Sequence, residues 1–140
     1  MATFSKFNAF VENLAEKGIN LGSDTLKVAL TNTAPAAANS LLADITQISS
    51  TGTGYSSGGT AATISTSLQT AGTYQLTLAD VVFTASGGSI GPFRYAVLYD
   101  DTSTGDMLIG YWDYGSSVTL ADGETFTVDF DASAGVLTLA

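Results

Sequence analysis

The residues of this chain that could carry acid–base chemistry are two aspartates near its carboxyl end, Asp129 and Asp131. They alternate with apolar residues in a predicted strand, so their carboxylates share one face. Glycosidases use paired carboxylates, and an aromatic cluster that would suit a sugar lies upstream at Tyr111, Trp112 and Tyr114. A hydrolase places its two carboxylates across a cleft. We therefore interpret this pair as a solvated, like-charged edge that discourages aggregation.

A second oxygen-rich segment, Asp100 to Asp106, has the alternating oxygen side chains of a calcium loop ahead of Gly105. An EF-hand also needs a bidentate Glu at its twelfth position, and Tyr111 stands there. Asp, Ser, Thr and Gly are ordinary turn residues, so the segment predicts a polar hairpin turn. Calcium binding remains the alternative.

Other catalytic constellations are missing from the sequence. The chain contains no cysteine and no histidine, which removes thiolate chemistry and the commonest general base. No serine has a plausible base, and the glycine-rich run from Ser49 to Gly59 has no Lys or Arg with which to hold a phosphate. The sequence therefore predicts a protein that is not an enzyme and that holds no cofactor or metal.

The single tryptophan, Trp112, lies between tyrosines and an aspartate in a predicted strand. Successive strand residues point to opposite faces, which pairs Tyr111 with Asp113 and Trp112 with Tyr114. One pair fills the core, and the other is an exposed contact that suits a sugar or a protein surface. The sequence does not decide which pair is exposed.

One helix is predicted, over residues 3–18, with Thr3 as its N-cap and Gly18 as its stop. Its apolar residues recur at spacings of three and four: Phe4, Phe7, Val11 and Leu14. This stripe either packs on the sheet of the same domain or anchors on a partner.

About nine short strands are predicted, which favours an all-β sandwich or barrel in one domain, residues 1–140. The first, over residues 25–31, alternates strictly and predicts a half-buried strand. The glycine-rich run from Ser49 to Gly59 predicts an exposed, mobile loop unless a partner orders it. The remaining strands are predicted over residues 60–68, 74–78, 80–85, 93–99, 107–113, 117–120, 125–131 and 136–139.

Charge narrows the choice of partners. The chain has 13 acidic and 4 basic residues, a formal net charge of -9. Its lysines and its arginine are scattered along the chain, so they form no basic patch that could bind a phosphate backbone. We therefore expect no nucleic-acid partner. No apolar run reaches the roughly 20 residues of a membrane span, so we expect no membrane partner either. Charged residues make up only 12% of the chain, a composition that favours an extracellular or virion protein.

Four phrases resemble small virion proteins of tailed bacteriophages, in particular the capsid decoration, or cement, proteins of short-tailed phages. They are Ser23 to Pro35 (SDTLKVALTNTAP), Ile90 to Tyr95 (IGPFRY), Leu108 to Gly115 (LIGYWDYG) and Gly123 to Phe130 (GETFTVDF). The resemblance spans most of the chain, and it carries no diagnostic site motif. It implies a jelly-roll-like β-sandwich without enzymatic activity, which clusters with its own copies as a dimer or trimer on the outside of the capsid.

On that basis we expect the major capsid protein and the protein itself as partners, at the exterior of the virion. The aromatic-rich first segment and the glycine-rich loop are expected to become ordered against neighbours. The interface candidates are Phe4, Phe7, Tyr55 and Trp112. The alternative function is a glycan-binding module of a phage tail, fibre or cell surface, which would use the exposed aromatic residues.

Overall fold

The computed structural model describes residues 2–140, so residue 1 of the predicted domain lies outside the described residues. The fold is all-β with one α-helix, as predicted. The elements are β1 (Phe4–Lys6), α1 (Asn8–Ala15), β2 (Leu26–Thr31), β3 (Thr60–Ala62), β4 (Ile64–Thr70), β5 (Thr73–Leu78), β6 (Val81–Thr84), β7 (Ile90–Asp100), β8 (Met107–Leu120), β9 (Thr125–Val128) and β10 (Leu137–Leu139). A 3-10 turn, Leu42–Asp44, lies between β2 and β3.

The strands form a five-stranded sheet in the order β1-β8-β7-β2-β3 and two smaller sheets, β10-β5-β4 and β6-β9. Every pair of neighbours is antiparallel. The main core lies between the five-stranded sheet and the smaller sheets, where Leu26 and Leu98 meet Leu76 and Phe83. This layering confirms an antiparallel sandwich, and the jelly-roll connectivity stays a prediction.

A second, smaller core covers the other face of the five-stranded sheet. Phe7 and Ile45 pack there against Ala29, Val97 and Leu108. Strand β2 is therefore buried on both faces, and Ala29 is 0% exposed. The prediction of a half-buried strand over residues 25–31 is wrong on this point, because the segment after β2 folds back over the face that the alternation assigned to solvent.

The predicted helix over residues 3–18 is too long. Residues 4–6 form β1, which pairs with β8, and α1 covers only Asn8–Ala15. Phe4 therefore lies in β1, and Phe7 lies at the junction between β1 and α1. Within the helix, Phe10 is the buried residue. Phe7 takes the N-cap position that was assigned to Thr3, and Lys17 rather than Gly18 adopts the left-handed conformation (φ 71°).

Strand β8 runs through the point where the sequence predicted a gap between residues 107–113 and 117–120. The interruption lies in its pairing with β7 instead. The ladder passes from Tyr95 opposite Asp113 to Phe93 opposite Val118, so residues 114–117 bulge out opposite Arg94 alone. Within this bulge Gly115 has φ 100°, in the left-handed region that glycine tolerates.

The glycine-rich segment from Ser49 to Gly59 is anchored at Tyr55, so the prediction of an exposed, mobile loop is wrong there. Tyr55 is 2% exposed. The Leu30 backbone N–H donates to its hydroxyl oxygen at 3.1 Å, and the hydroxyl donates to Gln47 Oε1 at 2.7 Å. The hydrogen bonds and the aromatic ring together order a segment that composition alone assigns to solvent.

Candidate functional site

A groove of about 520 Å³ opens between β8 and the segment from β9 to residue 136. We name it the aromatic groove and define it by five rings that line it: Phe4, Trp112, Tyr114, Phe126 and Phe130. Its volume lies within the roughly 300–1,000 Å³ that is usual for ligand sites. Tyr114 is the most open of the five, with 57% of its surface exposed.

Pairing between β1 and β8 places the first two rings. Phe4 stands opposite Trp112 in the ladder, and their ring centroids lie 5.1 Å apart. The Phe4 ring also lies over Gly110, where a β-carbon would collide with it. Glycine at position 110 is therefore required for Phe4 to reach the groove.

The bulge in β8 places Tyr114 over Phe126, with ring centroids 5.4 Å apart in an edge-to-face arrangement. Phe126 is held from below by the buried Phe93, at 5.0 Å and 82°. On the other side, Trp112 packs edge-to-face on Phe130 at 5.5 Å. Since each ring is fixed by another ring, the surface is preorganised, and binding does not have to order its side chains.

The rim of the aromatic groove is polar. Arg94 forms a bidentate ion pair with Asp113, through Nε to Oδ1 at 2.7 Å and Nη2 to Oδ2 at 3.0 Å. The Arg94 hydrogen bonds lower the pKa of Asp113, and the Asp113 hydrogen bonds raise the pKa of Arg94. Asp129 and Asp131 line the opposite rim.

The two rim aspartates do not lie in the strand that the sequence predicted for them. Strand β9 ends at Val128, so both carboxylates lie beyond the strand on which the sequence placed them. The backbone N–H groups of Ala134 and Ser133 donate to Asp131 and lower its pKa. A general acid requires the opposite shift, because it must hold a proton near neutral pH.

The four interface candidates separate into two pairs. Phe4 and Trp112 are half-buried and lie together in the aromatic groove. Phe7 is 0% exposed and Tyr55 is 2% exposed, so both side chains pack in the protein's own core and outside the groove. Their assignment as interface residues stays a prediction.

Phe126 and Phe130 lie within the strand predicted over residues 125–131. Phe130 is buried and its edge supports Trp112, whereas Phe126 is only partly buried beneath Tyr114. The signal for the groove was the aromatic residues of β8 and of residues 126–130. The pairing of β1 with β8 adds Phe4 to these rings, and the sequence did not indicate that pairing.

The Asp100 to Asp106 segment is a hairpin turn. Asp100 Oδ1 accepts hydrogen bonds from the backbone N–H groups of Thr102 at 2.9 Å and Ser103 at 3.2 Å. Asp100 is 0% exposed, and its Oδ2 has no hydrogen-bond donor. Burial, together with the neighbouring Asp24 carboxyl, raises the pKa of Asp100 to about 7. Across residues 2–140, no group of three or more acidic side chains is placed to hold a metal ion.

Comparison with protein-family models, with curated proteins and with solved structures finds no match to this chain. No helix within residues 2–140 is long and apolar enough to cross a membrane. The residues and the aromatic groove are therefore the features from which a function can be inferred.

Proposed function

We propose that this protein is a non-enzymatic structural protein of a phage virion, a decoration protein that binds the outer surface of the capsid and stabilises it. Its partners are the major capsid protein and its own copies. The proposal is supported by the resemblance of the four sequence phrases, and the single structural observation that carries it is the preorganised aromatic groove.

The aromatic groove has the properties of a protein contact site. Trp and Tyr are over-represented among the residues that dominate binding energy, and Trp112 and Tyr114 are presented side by side on a rigid strand. Their rings are already fixed, so an apolar side chain of the capsid protein enters without a cost for ordering them. Each contact can be modest, because a lattice repeats it many times and adds avidity.

The charge of the protein fits the same role. Two ion pairs within residues 2–140, Arg94 with Asp113 and Lys27 with Asp101, tie cations to the protein's own carboxylates. The net charge of -9 disfavours contact with nucleic acid. We expect the contact with the capsid protein to depend on apolar and backbone groups.

The test adds purified protein to capsids that lack it and measures bound copies and thermal stability of the particle. We expect saturable binding at a fixed number of copies per capsid and a higher disruption temperature. Trp112→Ala and Tyr114→Ala should each weaken binding at least tenfold, which corresponds to a loss of about 1.4 kcal/mol of binding free energy. Val82→Ala removes an equally exposed apolar side chain from β6 and should bind normally. Equal particle stability with and without the protein would contradict the stabilising role.

A second function, glycan binding, is favoured by the rim of the same groove. Sugars stack their C–H faces on aromatic rings, and their hydroxyls suit planar polar groups such as Arg94 and Asp129. The carboxylates on the rim disfavour acidic glycans, so a neutral oligosaccharide is the expected ligand. A glycan array followed by titration calorimetry separates the two functions. A neutral glycan that binds wild type and not Trp112→Ala supports this function, and an array without signal argues against it.

A further inference from the structure

The outer edge of the three-stranded sheet is open. Strand β4 lies at that edge, pairs only with β5 and has 7 residues, against 3 in the edge strands β1, β3 and β10. Its backbone makes no hydrogen bond to any residue within 2–140 outside its own sheet. The loop at Gly22 lies near Ser67, since a β-carbon added at Gly22 would come within 3.5 Å of the Ser67 hydroxyl. That hydroxyl is hydrogen-bonded to Tyr74, and the loop forms no hydrogen bond with the β4 backbone.

Apart from one bulge at its start, this edge lacks the features by which proteins protect an open strand. Edge strands are normally shortened, bulged outward, or given charges and prolines. Strand β4 reads Ile-Ser-Thr-Ser-Leu-Gln-Thr, without charge, proline or glycine. It has one bulge, near Ile64, and Leu68 is 54% exposed. Strand β1, in contrast, ends in the exposed Lys6.

The lack of charge extends well beyond the strand. The chain from Ile45 to Ala79 contains no Asp, Glu, Lys or Arg, although the whole protein has a net charge of -9. Two copies repel each other across most of their surfaces. An uncharged region is where two copies approach at the least electrostatic cost, so the charge distribution favours a second copy of this chain as the occupant.

We propose that β4 strands of two copies pair antiparallel across a two-fold axis, which joins their three-stranded sheets into one continuous sheet. With Ser67 at the axis, all 7 residues of each strand are paired, and Ile64 stands opposite Thr70. Thr66 then stands opposite Leu68 of the second copy. The two Leu68 side chains become diagonal neighbours on the outer face and cover each other's exposed surface. A two-fold contact of this kind is closed, so it ends at a dimer.

The dimer specifies the contact between copies that the proposed function includes, and it can be tested apart from capsid binding because it requires only this chain. Sedimentation velocity from about 1 to 200 µM, the range of modest affinities, measures it directly. We expect a reversible monomer–dimer equilibrium. Association should strengthen between about 20 and 300 mM salt, because salt screens repulsion between the two acidic surfaces.

Two substitutions locate the contact. Leu68→Lys places like charges next to each other across the axis, and we expect dimer affinity to fall at least tenfold. Val82→Lys makes the same change at a side chain that is 51% exposed on β6 and should leave the dimer intact. Gln69→Lys, on the other face of the same edge, provides a second probe if Leu68→Lys disturbs folding in circular dichroism.

A distance measurement fixes the register. The chain has no cysteine, so Leu68→Cys takes a single nitroxide label. Diagonal neighbours have β-carbons about 7–8 Å apart, close enough for strong dipolar broadening of the spectrum. A label at Val82→Cys should show none. The proposal is overturned if wild type stays monomeric throughout the range, if Leu68→Lys and Val82→Lys have equal effects, or if the Leu68 labels do not broaden.

Discussion

Substitution of the buried Asp100 by asparagine should stabilise the protein at neutral and alkaline pH. Asp100 Oδ2 is buried without a donor, and the group beside it is another carboxyl, that of Asp24. Two carboxylates hydrogen-bond to each other only when one holds a proton. In Asp100→Asn the side-chain oxygen can still accept from the Thr102 and Ser103 backbone N–H groups, and the new amide N–H can donate to Asp24.

The size and sign follow from the pKa of Asp100, which rises from 3.8 to about 7 on folding. The folded state therefore holds the proton more tightly than the unfolded state. This contribution to stability is fully present below pH 4 and is lost as the pH rises to 7. At about 1.4 kcal/mol for each unit of pKa difference, the loss is at most about 4 kcal/mol. The asparagine variant does not ionise, so it should avoid this loss.

The assay is urea unfolding of wild type and Asp100→Asn from pH 4 to 8. We expect similar free energies of unfolding at pH 4 and a variant more stable by about 2–4 kcal/mol at pH 8. Asp101→Asn removes the same charge from a half-buried neighbour whose Lys27 ion pair is 3.2 Å long, and it should shift stability by less than about 1 kcal/mol. Parallel pH curves for wild type and Asp100→Asn would refute the reasoning.

Two further substitutions test how the glycine-rich segment is held. Tyr55→Phe keeps the ring and removes the hydroxyl between the Leu30 N–H and Gln47 Oε1. It should lower the free energy of unfolding by about 1–3 kcal/mol, measured by thermal or urea unfolding. An unchanged free energy of unfolding would mean that these bonds do not anchor the segment. Gly59→Ala should destabilise far more than Gly72→Ala: both glycines have positive φ, but a β-carbon at position 59 collides with the Val28 carbonyl, whereas position 72 opens on empty space. Equal melting temperatures for the two alanine variants would contradict the close approach.

The strands predicted over residues 74–78 and 80–85 were found because their signals are local. The strand predicted over residues 60–68, in contrast, divides into β3 and β4, which belong to different sheets. Val81 and Phe83 alternate with exposed residues, and the Thr70 to Thr73 turn contains Ala71 and Gly72 at positive φ, the conformation of a tight two-residue hairpin. Alternation and turn residues are short-range properties. They do not depend on which strand lies next to which.

The helix predicted over residues 3–18 was too long because the pattern of its first residues is ambiguous. The spacing of Phe4 and Phe7 fits a helical stripe, but the residues from Phe4 to Lys6 meet a partner strand at the far end of the chain, and that pairing overrides helical periodicity. The prediction of a mobile loop around Tyr55 was wrong for a related reason. The ring of Tyr55 and the amide of Gln47 order this segment, although its sequence has no periodic pattern. The aromatic groove could not be predicted for the same reason, because it is complete only when β1 pairs with β8 and Phe4 reaches Trp112.

The pairing of β1 with β8 also has a consequence for the order of folding. Contacts between the two ends of a chain form slowly, because the loop that joins them must close first. On a ribosome, β8 emerges long after β1, so Phe4 cannot meet Trp112 until β8 has been made. Chains that end before β8 and Phe130 therefore lack the complete aromatic groove, and the surface that we propose for contact with the capsid forms only after these residues have been made.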